Sequence, residues 1–129
     1  MSDKLVILLI EDEGVIRMDI AVALEEAGFE VVDAPDGAKA LELFDKDSDR
    51  ISAIITDIRL GHGANGWDVG RHCRQAKPIL PVVYMSGDSA GDWAAQGVPD
   101  SVMIAKPFVM AQVITAVSTL LNAAGSKTV

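Results

Sequence analysis

With 129 residues the chain is long enough for one domain and too short for two, and with half of them hydrophobic it can fill a core that a disordered chain could not. Nineteen acidic against eleven basic side chains leave a formal net charge of −8, a surface that repels nucleic acid and anionic lipid and so excludes both as expected direct partners. The longest apolar run has a strand's length, not a membrane span's. The start lacks a signal peptide's basic and apolar regions, and a lone Cys73 cannot pair within the chain, which points to a reducing cytoplasm.

Residues 5–10 are apolar throughout, as a strand covered on both faces must be. An amphipathic stretch over about 15–27 puts Ile16, Ile20, Ala23, Leu24 and Ala27 on one face and predicts a helix. Gly28 follows, where a helix end wants a left-handed residue. A second strand is expected over 29–32. A second helix is expected from Asp36 and Gly37, with Ala40, Leu41 and Phe44 inward, then a polar loop over 45–50. Residues 51–56 form a third buried strand ending at Asp57. A glycine-rich loop over 61–66 leads to a third helix at 67–76, and 81–85 reads as a fourth strand. A short helix at 89–96 stops before Gly97 and Pro99, a fifth strand covers 101–105, and the last helix spans 108–122. No repeat or linker divides the chain, so residues 1–124 read as one domain and 125–129 as a flexible tail.

Five strands alternating with five helices predict an α/β fold, a parallel sheet with helices on both faces. Right-handed crossovers leave few topologies. The flavodoxin-like order 2-1-3-4-5 is chosen, with its ligand crevice beyond the carboxyl ends of the strands.

Chemistry-bearing residues collect at those ends. Glu11, Asp12 and Glu13 follow the first strand, Asp57 the third, Ser86 the fourth and Lys106 the fifth. Crowded carboxylates repel one another unless a cation joins them. Hard oxygen ligands with room for water suit Mg²⁺ rather than zinc. A carboxylate can attack phosphorus, a metal and an ammonium can balance phosphoryl charge, and a hydroxyl can donate to a phosphate oxygen. Taken singly, the acidic run could be a solvated helix start, and Ser86 a helix cap or turn residue.

In this order the segments Ile10–Glu13, Ile55–Asp57, Tyr84–Gly87 and Ala105–Phe108 resemble the receiver domain of two-component signalling over about residues 4–122. The resemblance implies that Asp57 accepts phosphate and that Glu11 and Asp12 form an acidic pocket. It implies that Asp12, Asp57 and the backbone carbonyl of Arg59 hold Mg²⁺, with Glu11 counted in the metal site, and that Ser86 and Lys106 contact the phosphoryl group. It also implies a cis bond before Pro107. The expected partners are a sensor histidine kinase or histidine phosphotransfer protein, and a downstream protein on the face of the fourth helix, fifth strand and fifth helix. The expected state is a monomer or weak homodimer in the cytoplasm. No chain remains for an output domain, so signalling through protein contacts is expected.

The sequence departs from that family at several places. Leu60 is followed by Gly61 rather than proline, in a loop that reads as slightly long and mobile. Met103 stands where an aromatic switch is usual, and the fourth helix is short, with Gly91, Asp92 and Trp93. Two other readings remain. A haloacid-dehalogenase-like phosphatase would place a second acid two residues after the nucleophile, where this chain has Arg59. A phosphate-independent binding module would have no need for the full set. His62 and His72 lack metal spacing with Cys73 and are expected to face solvent. Cys73, Trp67 and Phe108 are expected in packing, and Trp93 is a candidate partner anchor.

Overall fold

The computed structural model describes residues 4–127. Five parallel strands, β1 (Val6–Ile10), β2 (Glu30–Ala34), β3 (Ile51–Asp57), β4 (Val82–Ser86) and β5 (Val102–Ala105), lie in the order β2-β1-β3-β4-β5. They alternate with α1 (Gly14–Glu26), α2 (Gly37–Asp47), α3 (Gly66–Ala76), α4 (Trp93–Gln96) and α5 (Met110–Lys127). This is the flavodoxin-like arrangement expected from the sequence.

Side-chain alternation along β1 separates two cores. Val6, Leu8 and Ile10 pack with Ala40 and Phe44 of α2, Trp67, Val69 and Cys73 of α3, and Tyr84. Ile7 and Leu9 pack with Ile20 and Leu24 of α1 and Val113 and Val117 of α5. Every residue of β1 and β4 is buried, whereas the edge strand β2 is half-buried over most of its length. This is why β1 reads as an unbroken apolar run and β2 does not. No helix among the described residues is long and apolar enough to cross a membrane.

The observed elements differ from the expected ones where polarity misled. Residues 45–50 are not a loop: α2 runs to Asp47, and a 3₁₀ turn covers Ser48–Arg50. Arg50 pairs with both Asp47 and Glu30, and Lys77 Nζ donates to the carbonyls of Ser48 and Ile51. Those ties make a polar segment regular. Gly28 ends the first helical segment at φ +100°, as expected.

The fourth helix is a single turn, Trp93–Gln96, after a 3₁₀ turn at Ala90–Asp92. Neither has a side-chain cap or a buried residue. The last helix begins at Met110 and continues to Lys127, three residues into the stretch expected as a flexible tail. Ala123 and Ala124 favour the helix, and Gly125 is not at positive φ, so it only weakens the helix. Residues 128–129 lie outside the described residues.

Candidate functional site

Parallel strands direct their carboxyl ends to one edge, and β1, β3, β4 and β5 there deliver the residues singled out by sequence. Thr56 and Asp57 pair with Tyr84 and Met85 of β4, and Ser86 pairs with Ala105 of β5. The strand ends are therefore level, and Glu11, Asp57, Ser86 and Lys106 converge. Carboxylate oxygens of Glu11, Asp12 and Asp57 lie within 4.8 Å of one another. A cavity of about 340 Å³ is lined by Asp12, Glu13, Asp57, Arg59, Ser86, Gly87, Asp88 and Lys106.

Asp57 is buried yet oriented. Its Oδ1 accepts from the Ile58 backbone N–H at 2.8 Å, and its Oδ2 accepts from Lys106 Nζ at 3.0 Å. Thr56 Oγ1 donates to the Asp57 carbonyl at 2.8 Å, which fixes the backbone behind it. Lys106 Nζ also reaches Glu11 Oε2 at 3.2 Å, so one ammonium joins two carboxylates. Burial pulls the lysine's pKa down, but the hydrogen bond and charge of Asp57, with those of Glu11, outweigh it and hold the group above its ordinary range.

Glu11 is fully buried. Desolvation first, and the charge of Asp57 second, push its carboxyl up to about 7, against the Glu13 N–H and Lys106. Glu11 and Asp57 thus share one ammonium, with the Asp12 carboxylate close by. Oxygen donors beside an open, polar cavity fit a small hard cation such as Mg²⁺. Both Glu11 oxygens already accept, from Glu13 N–H and Lys106, while Asp12 is exposed at the mouth.

Ser86 serves the turn as well as the pocket. It is buried, and its Oγ accepts from the backbone N–H groups of Asp88 at 3.2 Å and Ser89 at 2.6 Å. A hydroxyl has two acceptor lone pairs and one donor hydrogen. With both lone pairs occupied, its O–H remains the donor, beside the Asp88 carboxylate that it helps Ser89 hold below the ordinary range. The turn and pocket readings of Ser86 are therefore compatible. The Lys106–Pro107 peptide is cis.

Arg59 and Asp88 form a fork across the cavity mouth, Nε to Oδ1 at 3.0 Å and NH2 to Oδ2 at 2.7 Å. The Ser89 hydroxyl bonded to Asp88, with Arg59, holds that carboxyl below its ordinary range. Sequence reasoning missed Arg17, which donates to the Glu11 carbonyl at 2.8 Å and to Asp33 Oδ2 at 3.0 Å, tying the acidic loop to β2. A lone arginine six residues past Glu11 carries no signal of this, because the tie depends on where β2 lies.

The other candidates fall outside the site. The glycine-rich loop is anchored rather than free: Gly66 N–H donates to the Ile58 carbonyl at 2.8 Å, and Asn65 and Asp68 form a reciprocal capping box. His62 is exposed, but His72 is half-buried, with Nε2 2.7 Å from Asp45 Oδ1 and its ring edge-on to Phe44, which corrects the expectation that both face solvent. Cys73 is buried, and desolvation pushes its thiol up to about 12. Trp67 is buried against Tyr84, with ring centres 4.8 Å apart. Phe108 is half-buried against the core shared by α1 and α5, and Met103 against that of α2 and α3. Trp93 is part-exposed, with its Nε1–H donating to Ser101 Oγ at 2.8 Å.

Comparison with known proteins agrees with this geometry. Residues 7–118 match the response regulator receiver domain family. A crystal structure of a response regulator receiver protein from Sinorhizobium medicae WSM419 superposes with a TM-score of 0.91 at 44% identity, covering 95% of this chain and 98% of that one. The receiver domain of sensor histidine kinase PA1611 from Pseudomonas aeruginosa PAO1, solved with a magnesium ion coordinated in the active site cleft, gives a TM-score of 0.79 at 25% identity, covering 92% and 98%. The response regulator receiver protein CpdR of Brucella abortus is 28% identical over 92% of this chain and 98% of its own length. The chain spans 56% or less of several longer regulators and a sensor kinase that it also matches. The strand order, the acids and lysine at the strand ends, and the match over residues 7–118 give one conclusion: the chain belongs to the response regulator receiver domain family of two-component signalling.

Proposed function

We propose that this receiver is a phosphorylation switch whose phosphate is carried by Asp57, accepted from a sensor histidine kinase or histidine phosphotransfer protein. The observation that carries the reading is the double hold on Asp57. Its carboxylate is oriented by the Ile58 N–H and matched to an ammonium, while facing an open polar cavity. One oxygen is positioned to attack phosphorus. Lys106 balances charge on the incoming group, and the Ser86 O–H donates to one of its oxygens.

Asp12, Asp57 and the Arg59 carbonyl would hold Mg²⁺, with Glu11 adding charge behind them. When bound, the ion would neutralise phosphoryl oxygens; a magnesium ion is coordinated in the active site cleft of the PA1611 receiver, which supports the reading by analogy. Output is read as protein contact. The face of α4, β5 and α5 is the proposed surface, although α4 gives it one turn only.

The test is a mass measurement after incubation with a small acyl phosphate or phosphoramidate. One phosphate is expected with Mg²⁺ in the unaltered chain, and none without Mg²⁺ or in Asp57→Asn. Addition in either control would overturn the assignment. Lys106, only partly buried at the pocket edge, allows a second check. Lys106→Ala should fold and still lose the link between phosphorylation and partner binding.

A further inference from the structure

Lys106 and Arg59 are the two cations lining the pocket at Asp57. Lys106 is already shared between Glu11 and Asp57. Arg59 instead spends two of its N–H donors on Asp88 across the mouth. We infer that Arg59 is a second phosphoryl-binding cation held in reserve by Asp88, and that its transfer to the phosphoryl group opens the turn between β4 and α4. The inference rests on the reading of Asp57 as phosphoacceptor.

Three observations support it. First, Arg59 stands two residues beyond Asp57 and lines the same 340 Å³ cavity, and its side chain is 77% exposed, so no packing holds it in its present rotamer. Second, the present partner is replaceable. A carboxylate and a phosphoryl group both match the planar guanidinium fork, and the phosphoryl group carries the larger charge. Arrival of that group beside Asp88 also adds like-charge repulsion, which favours separation of Asp88 from the pocket.

Third, Asp88 is the centre of the turn it would leave. Its carboxylate accepts from Ser89 Oγ at 3.0 Å as well as from Arg59, and its N–H and that of Ser89 both donate to Ser86 Oγ. The segment that follows, Ala90 to Gln96, has no side-chain cap and no buried residue; beyond this network it is tied by bonds that side chains make, Trp93 Nε1–H to Ser101 Oγ and Arg71 to Gln96. Release of Asp88 would therefore move the turn that carries Trp93.

The probe is beryllofluoride with Mg²⁺, a non-covalent mimic of a phosphoryl group on a carboxylate, followed by NMR. A bound ¹⁹F signal reports occupancy, the Arg59 Nε–H signal reports its partner, and the amides of Asp88 and Ser89 with the Trp93 indole report the turn. In the unaltered chain all three groups of signals should change together. Without the probe, Arg59→Ala should already show the turn signals of the occupied state. Asp88→Asn should tighten binding about threefold, within the ~1 kcal/mol range of an exposed ion pair. The same change made on Arg59→Ala should give a smaller effect, because there is no clasp left to break. A bound ¹⁹F signal with unmoved Arg59 Nε–H and turn signals would overturn the clasp and leave the phosphoacceptor reading standing. Absence of any bound signal in the unaltered chain would overturn both.

Discussion

α3 begins with a reciprocal capping box at Asn65 and Asp68, and buries Trp67, Val69 and Cys73 over three turns. α4 has one turn, no side-chain cap and no buried residue. Each follows a strand that ends in a site residue, Asp57 before α3 and Ser86 before α4. The proposed nucleophile therefore sits on backbone locked by packing, with Gly66 N–H bonded to the Ile58 carbonyl. The hydroxyl sits on a turn held by side chains. A group that must attack along one line gains from rigidity. A turn that must report a change gains from being held by replaceable side-chain bonds. The two halves of one site are thus built to different stiffness.

The largest expected effect separates the two tryptophans. Trp67→Ala should cost about 3–5 kcal/mol, as truncation of a buried aromatic does, because it removes the ring that lies on Tyr84. Trp93→Ala loses part-exposed surface and one hydrogen bond to Ser101, and should cost only about 1 kcal/mol. Urea unfolding of both variants measures the contrast. Equal losses would mean that the α4 side is as firmly packed as the α3 side.

Cys73, on the packed side, offers a second measure. Its thiol is pushed up to about 12 by burial, above the ordinary 9.0, so the fold favours the neutral form. That stabilisation is present below pH 9 and is lost as pH rises from 9 toward 12. Stability should therefore fall over that range by more than in Cys73→Ala, and a thiol reagent at pH 8 should label the folded chain far more slowly than the denatured one. Rapid native labelling would show that the α3 side opens locally.

Gly66→Ala comes next. A Cβ there would run into the carbonyl oxygen of Asp57 and the Cα of Ile58, both backbone, which cannot turn aside as a side chain can. Overpacking of this kind costs about 1–3 kcal/mol. The displaced atoms carry Asp57, the proposed nucleophile, so phosphorylation should slow along with the loss in melting temperature. A variant with unchanged stability and unchanged phosphorylation would show that the junction of β3 and α3 yields.

Most of this was legible in the sequence, for reasons visible in particular residues. Strands buried on both faces are apolar runs, so residues 5–10 and 51–56 declared themselves, and parallel topology then brought Glu11, Asp12, Asp57, Ser86 and Lys106 to one edge. Edge strand β2 was displaced by two residues at its end because its pattern is mixed: Asp33 lies within it and is paired by Arg17. Residues 45–50 read as a loop because their regularity depends on Arg50 and Lys77 reaching distant partners. The pairing of Arg59 with Asp88 was readable as opposite charges at matching offsets from Asp57 and Ser86. The occupation of both Ser86 lone pairs was not, since it depends on the turn's geometry.

The smallest expected effect is also the one of opposite sign. Gly91 lies in the 3₁₀ turn before α4, it is not at positive φ, and a Cβ built on it meets no atom within 4 Å. Alanine fits that backbone and restricts the unfolded chain, so Gly91→Ala should stabilise by about 0.4–1 kcal/mol where Gly66→Ala destabilises. A raised urea midpoint with an unchanged slope would show it. The same variant probes the proposed partner face. If a second copy of the chain covers this turn in solution, the added methyl would meet it, and the gain would shrink or reverse as protein concentration rises. A gain independent of concentration means that the turn is uncovered in the resting chain, as its exposed tryptophan and missing cap suggest.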